Sequence, residues 1–308
     1  MKRLLFFIAF VFIIPILCTN NINIKKKKYE YGFGLKQDIK TNIRILDKSN
    51  NVKNMDLEEY LIGVVASEVP LSFEDEAIKA QAVASRTYAL KQIENNKNKE
   101  YDVTTDVLTQ VYSNNEQLKE KWGNDFDNNY NRIKQIINDT KNEYISYNDQ
   151  IIYAFFFSTS NGKTEDNKNV FGEDLPYLKI VDSSFDEEET DNFNYDYTFS
   201  KEEFYSNLGI EYSESLNIDN IIKTDSGRIY SLNINNHYFK GRDFQKKLSL
   251  RSNDFEIKET ESNILISTRG YGHGVGMSQY GANALAKRHK NYKEILEYYY
   301  KGVKIKKL

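Results

Sequence analysis

The sequence predicts an α+β fold, mixed helices and strands around a substrate groove, behind an N-terminal membrane anchor. Three observations point there. Segments with helical apolar spacing and segments that alternate polar and apolar residues both occur along the chain. A run of alternating glycines lies near the C-terminus, and a basic flank followed by a short apolar run opens the chain.

With 308 residues, 40% hydrophobic and 28% charged, the chain has the composition of a globular protein with a real core. Its formal net charge of -3 provides no basic field to hold phosphates, which argues against nucleic-acid binding.

Lys2 and Arg3 precede the apolar run from Leu4 to Leu17, and Cys18 follows. At about 1.5 Å per residue that run is short for the ~30 Å hydrocarbon layer. No A-x-A cleavage site follows it, and Leu17 is too large for a good lipoprotein signal before Cys18. We read 1–19 as an uncleaved signal anchor and 20–41, with consecutive lysines at Lys25 to Lys28, as a juxtamembrane linker. The remainder, 42–308, is then an exported catalytic region with a peripheral lobe near 190–260. Cys18 is the single cysteine, so the exported part has no disulfide and no thiolate ligand. His237, His273 and His289 are scattered, with no HExxH motif, which argues against a tightly bound transition metal.

Asn42 to Leu46 alternates and reads as a strand. Met55 to Val69 reads as a helix stopped by Pro70, with Leu57, Leu61, Val64 and Glu68 on one face. Ser72 followed by Asp75 resembles a capping box opening a long helix to about Ile93, with Ala77, Ala80, Ala84 and Tyr88 in a stripe. Val103 to Tyr112 reads as extended, Glu116 to Tyr144 as loop and helix around Trp122, and Tyr144 to Phe157 as a hairpin. Phe185 to Asp196 is acidic and polar. Ser200 to Leu208 and Ser215 to Ile218 resemble helix starts, and Ile229 to Ile234 and Ile264 to Thr268 resemble strands. Helices at Ser278 to Arg288 and Tyr292 to Tyr300 close the chain.

Glu68 stands out chemically. It shares the face of Leu61 and Val64, and a carboxyl held among apolar side chains is pushed toward its neutral form, the state a general acid needs. The alternative is a helix-end Glu that is exposed or paired with a basic residue such as Arg86. Ser160 and Lys163 have the S-x-x-K spacing of a lysine-activated serine, but the companion segments are missing and Asn161-Gly162 interrupts the spacing. A polar loop presenting hydroxyls is the better reading. Gly270-Tyr271-Gly272-His273-Gly274-Val275-Gly276 is neither a P-loop nor a nucleophile elbow. Its bare backbone lets another backbone or a sugar ring approach closely. His273 can hydrogen-bond a ligand or its neighbours, and Gln279 and Tyr280 add a polar handle and a stacking face.

Tyr60 to Pro70 (YLIGVVASEVP) with Ala80 to Tyr88 (AQAVASRTY) resembles the N-terminal signature of the stage II sporulation protein D family, which also includes modifiers of an autolytic amidase. Gln110-Val111-Tyr112, Ser158 to Thr164, Pro176-Tyr177-Leu178 and Gly272 to Gln279 continue the resemblance in order. It implies a lytic transglycosylase that cleaves between N-acetylmuramic acid and N-acetylglucosamine in peptide-stripped peptidoglycan glycan strands, forming 1,6-anhydro-muramyl ends. It also implies action during engulfment at the mother-cell membrane facing the forespore, together with a sporulation amidase and a membrane scaffold protein. The family's catalytic Glu falls on Glu68. Gln81, Arg86, Ser160, Tyr177, His273 and Gln279 are the candidates for binding and orienting the glycan. Some members carry zinc; here Thr109 and Phe157 occupy the expected ligand positions, so no metal or other cofactor is expected. The runner-up function is a non-enzymatic, glycan-binding activator of a partner amidase, and a third is a serine acyl-transferase acting through Ser160.

Overall fold

The computed structural model describes residues 41–105 and 109–308, and the predicted anchor at 1–19 and nearly all of the linker lie outside them. The described chain is mixed α and β. Strands β1 (Asn42–Leu46) and β2 (Val52–Asp56) form a hairpin, followed by helices α1 (Leu57–Glu68) and α2 (Asp75–Asn96). Strand β3 (Val103–Thr104) pairs parallel to β1. Helices α3 (Asn115–Trp122) and α4 (Phe126–Asp139) precede β4 (Glu143–Tyr147), β5 (Gln150–Ile151), β6 (Phe156–Phe157) and the short α5 (Asn167–Val170). Next come β7 (Asn194–Ser200), α6 (Lys201–Leu208), β8 (Ile218–Lys223), β9 (Ile229–Ile234), β10 (His237–Lys240) and α7 (Gly241–Lys247). The chain ends with β11 (Phe255–Glu259), β12 (Asn263–Arg269), β13 (Met277–Ser278), α8 (Gln279–Lys287), α9 (Tyr292–Tyr299) and β14 (Lys304–Lys307).

Two apolar cores organise these elements. One is built on α1, α2, α4 and α9, with Tyr60, Leu61, Val64, Ile78, Val83 and Tyr299 fully buried. The other joins Phe204, Phe244, Phe255, Leu232, Ile234 and Ile266, from the segment between β7 and β12. Strands β11, β12 and β7 form one sheet over that second core, and β10, β9 and β8 form another. Among the described residues, no helix is long and apolar enough to cross a membrane.

Several expectations need correction. The long helix starts at Asp75, and its N-cap is Glu74, without a side-chain cap bond, so Ser72 does not cap it. The start of that helix is held from outside: Asn283 accepts from the Glu74 N–H at 2.9 Å. Of the described residues in the predicted extended segment, only Val103–Thr104 form a strand. The hairpin is shorter than predicted. Asn148 and Asp149, with φ of 49° and 63°, make the two-residue turn between β4 and β5. Phe156 and Phe157 leave it to pair with Met277 and Ser278. Ser215 to Ile218 starts no helix; it runs into β8, whose Ile218 pairs with Ile234.

Candidate functional site

Asp56 caps α1, its carboxylate accepting from the N–H groups of Glu58 and Glu59 at 3.0 and 3.3 Å. Pro70 forces the residue before it out of helical geometry, and Val69 is extended at φ -124° and ψ 147°. Glu68 is therefore the last helical residue, half-buried beyond the apolar face of Leu61 and Val64. Burial raises its carboxyl pKa; hydrogen bonds from the Val111 N–H (3.2 Å) and the Gln279 side chain oppose that shift without cancelling it.

Gln279 is the first residue of α8, and its position follows from the cap before it. Ser278 accepts from the Gly281 N–H at 3.3 Å and donates to the buried Asp186 carboxylate. Gln279 also donates to Gln81 at 3.4 Å, and Gln81 donates to Ser85 at 3.0 Å. Glu68, Gln279 and Gln81 thus form one polar row drawn from α1, α8 and α2. Tyr88, one turn beyond Ser85 on α2, completes the setting. Its hydroxyl is pushed up to about 12, by burial first and by the Glu68 charge second.

The other predicted site residues have different surroundings. Arg86 is fully buried and bonded to Glu58 at 2.9 and 2.6 Å and to the carbonyls of Ile137 and Glu143. It is committed to holding α1, α2 and β4 together, which takes it out of glycan contact. Ser160 is also fully buried, its hydroxyl donating to the Ser183 carbonyl at 2.9 Å and accepting from the Gly162 N–H at 3.1 Å. That removes it as a sugar-binding hydroxyl and as a nucleophile, and the exposed Lys163 makes no hydrogen bond to it. Tyr177 lies beneath the chain, accepting from the Tyr153 N–H at 3.2 Å. His273 is ringed by Phe155, Phe157 and Phe171 at 6.2, 5.8 and 5.4 Å. Its Nδ1 accepts from the Val275 N–H at 3.1 Å. Burial, helped by the charges of Arg242 and Arg228, pushes its pKa down to about 3, so the ring is neutral.

The glycine run serves the protein's own packing and not a sugar. All four glycines from 270 to 276 have positive φ. A Cβ on Gly276 would lie 1.9 Å from the Phe155 carbonyl oxygen, and one on Gly274 would lie 2.7 Å from the Arg228 guanidinium carbon.

Asp186 was not singled out by the sequence. It is fully buried within the acidic stretch and accepts from the Ser160 N–H at 2.7 Å, from the Ser183 hydroxyl at 2.6 Å and from Ser278. Desolvation raises its pKa against those bonds. It ties the 158–160 loop to the start of α8, and so sets where Gln279 stands.

Among the described residues, no group of three His, Cys, Asp or Glu side chains is placed to hold a metal ion. The positions where the resemblance would place zinc ligands offer a phenyl ring at Phe157 and, at Thr109, a hydroxyl already bonded to Thr104 at 2.9 Å. Neither suits zinc.

A family model described as Stage II sporulation protein matches residues 46–147, which include Glu68, Gln81 and Tyr88. The chain is 40% identical over 262 residues to Stage II sporulation protein D of Bacillus subtilis (strain 168), covering 83% of this chain and 76% of that protein. It is equally similar, over the same shares, to Stage II sporulation protein D of Bacillus amyloliquefaciens. A more distant likeness, 25% over 297 residues, covers 79% of this chain and 39% of a Bacillus subtilis (strain 168) protein named Amidase enhancer. With this identity sustained over most of both chains, the protein belongs to the stage II sporulation protein family.

Proposed function

We propose that this protein is a lytic transglycosylase that cleaves peptide-stripped peptidoglycan strands during sporulation, with Glu68 as its acid and base. The observation that supports this best is the setting of Glu68: a half-buried carboxyl with a raised pKa, bonded to one backbone N–H and one amide, with no charged partner acting on it among the described residues. Such a group holds its proton to higher pH than an ordinary carboxyl, the direction a general acid needs.

Glu68 donates its proton to the glycosidic oxygen between N-acetylmuramic acid and N-acetylglucosamine. Its carboxylate then takes the proton from the muramyl C6 hydroxyl as that oxygen closes on the anomeric carbon to give the 1,6-anhydro ring. The substrate supplies the nucleophile, so the second carboxylate of an ordinary glycosidase is not needed, and neither is a metal. Gln279 orients the carboxyl, and the fully buried Gln81 holds Gln279 in place from behind. In this reading the N-terminal segment anchors the chain in the mother-cell membrane facing the forespore. A sporulation amidase supplies stripped strands, and a membrane scaffold protein holds the two together.

The test is product analysis on amidase-stripped strands. Wild-type protein should release fragments ending in 1,6-anhydro-muramyl rings, and Glu68→Gln should bind the strands without cleaving them. Fragments with reducing ends would make the protein a hydrolase and remove the single-acid mechanism.

A second reading has its own support in the likeness to the Amidase enhancer: a glycan-binding activator with no activity of its own. In that case wild-type protein releases no fragments, and Glu68→Gln stimulates a partner amidase as well as wild type does.

A further inference from the structure

Away from Glu68, a cavity of about 960 Å³ lies between α5 and α7. Lys168, Lys240, Arg242 and Lys246 line it, and none of the four makes an ion pair among the described residues. Two acids, Glu165 and Asp243, share the wall. Glu165 is 1% exposed, and its carboxylate is occupied by Thr224, Ser226, the Asp166 N–H and Asn169 at 2.6 to 2.9 Å. A chain of net charge -3 therefore gathers four unpaired cations around one cavity. Unpaired charge concentrated in a concave site attracts the opposite charge.

A row of rings links this cavity to the acid. Tyr88, whose hydroxyl senses the Glu68 charge, has its ring 6.3 Å from Phe155. Phe155 stacks on Phe171 at 4.6 Å, and the Arg242 guanidinium lies 5.4 Å from the Phe171 ring. Phe155 stacks on Tyr153 as well as on Phe171, and Phe171 is 45% exposed, so it is Phe171 that offers open ring surface on which the C–H side of a pyranose can pack.

We propose that this cavity is a binding site for a carboxylated sugar, receiving the lactyl carboxylates of a glycan strand that lies along the Tyr88–Phe155–Phe171 row toward Glu68. The identity of the strand rests on the transglycosylase reading; the charge of the cavity does not. Hydrolysis of the lactyl amide by an amidase adds water across the C–N bond. The peptide leaves with the amine, and one carboxylate stays on the muramic acid. Stripping a strand thus creates the anionic group the four cations suit, and the cavity selects strands already processed by the amidase.

The experiment measures binding of stripped strands to the full chain carrying Glu68→Gln, so that no cleavage intervenes. The comparison is the same strands with their lactyl carboxylates capped as methyl amides. The carboxylate form should bind about tenfold tighter at low salt, a preference that shrinks as salt rises. Adding Lys168→Glu and Lys246→Glu should erase the preference and leave the capped-strand affinity unchanged, which also shows that the fold is intact. Equal affinity for both strands overturns the proposal, as does a charge-reversed protein that keeps the preference. Displacement by inorganic phosphate but not by free muramic acid also overturns it, in favour of a phosphate-bearing ligand. The preference is read without turnover, so it can stand where the wild-type protein cleaves nothing, and cleavage can stand where the preference is absent.

Discussion

Glu58 and Arg86 form a two-pronged ion pair, Nε to Oε1 at 2.9 Å and Nη2 to Oε2 at 2.6 Å, across the interface of α1 and α2. That buried guanidinium is committed to Glu58, and among the described residues no cation acts on Glu68 at the far end of the same helix. Two glutamates on one helix thereby have different settings, one paired with a guanidinium and structural, the other biased toward its protonated form.

The first prediction concerns Glu68 and pH. A carboxyl whose folded pKa is raised is neutral in both states at low pH and contributes nothing there. As pH rises through the ordinary carboxylate value, the unfolded chain ionises first, and the folded state loses relative stability until pH passes the raised value. Glu68→Gln should therefore melt higher than wild type at pH 7 to 8, and the gain should vanish near about pH 4. Cleavage by wild type should decline as pH rises past the raised value, where the proton donor is lost. Thermal melts and rate profiles across that range check both. A variant less stable than wild type at neutral pH would count against the raised pKa.

Replacing Arg86 should act on the fold and not on catalysis. Arg86→Lys cannot reproduce the fork to Glu58 together with the bonds to the Ile137 and Glu143 carbonyls. A loss of about 3 kcal/mol is expected in denaturant unfolding, while the kcat of the protein that remains folded stays near wild type. A normal melting curve with lost turnover would return Arg86 to the glycan site.

Asp186→Asn puts an amide N–H where three donors, from Ser160, Ser183 and Ser278, expect an acceptor. Destabilisation by about 2 kcal/mol follows from one unmade buried bond. Because Ser278 begins the helix that carries Gln279, kcat should fall more than KM rises. Unchanged kcat would mean that the carboxylate supports the loop alone.

Two glycines give a matched contrast. Gly162 has a φ of 104°, and a Cβ added there would meet nothing within 4 Å, so Gly162→Ala should cost only backbone strain of about 1 to 2 kcal/mol. Gly276→Ala adds a collision 1.9 Å from the Phe155 carbonyl to similar strain, and should cost well above ~3 kcal/mol or prevent folding. Equal melting temperatures for the two variants would show that the 155–158 backbone yields.

The parts of this arrangement legible in the sequence are those set by local rules. The helix ending at Glu68 follows from apolar spacing and Pro70, and the helix expected over Ser278 to Arg288 runs from Gln279 to Lys287. Gln81 and Gln279 could be named as candidates, but that they meet across 198 residues of sequence could not be read locally. Arg86 misled for the same reason: a charged side chain in a small-residue helix looks available until its partner on another helix is known. Asp186 was hidden because an acidic stretch reads as solvated surface, while this carboxylate sits inside it with no exposure. The acyl-transferase reading of Ser160 failed on burial, which spacing does not encode.

The last strand, β14, pairs residue by residue with β4, from Lys304 opposite Ser146 to Lys307 opposite Glu143. A ribosome therefore delivers Glu68 early, the amide that orients it more than 200 residues later, and β14 later still. Contacts of such long sequence separation form slowly. A growing or truncated chain that carries Glu68 without Gln279 lacks the amide that orients this carboxyl, so the row of Glu68, Gln279 and Gln81 takes shape only once α8 has been made.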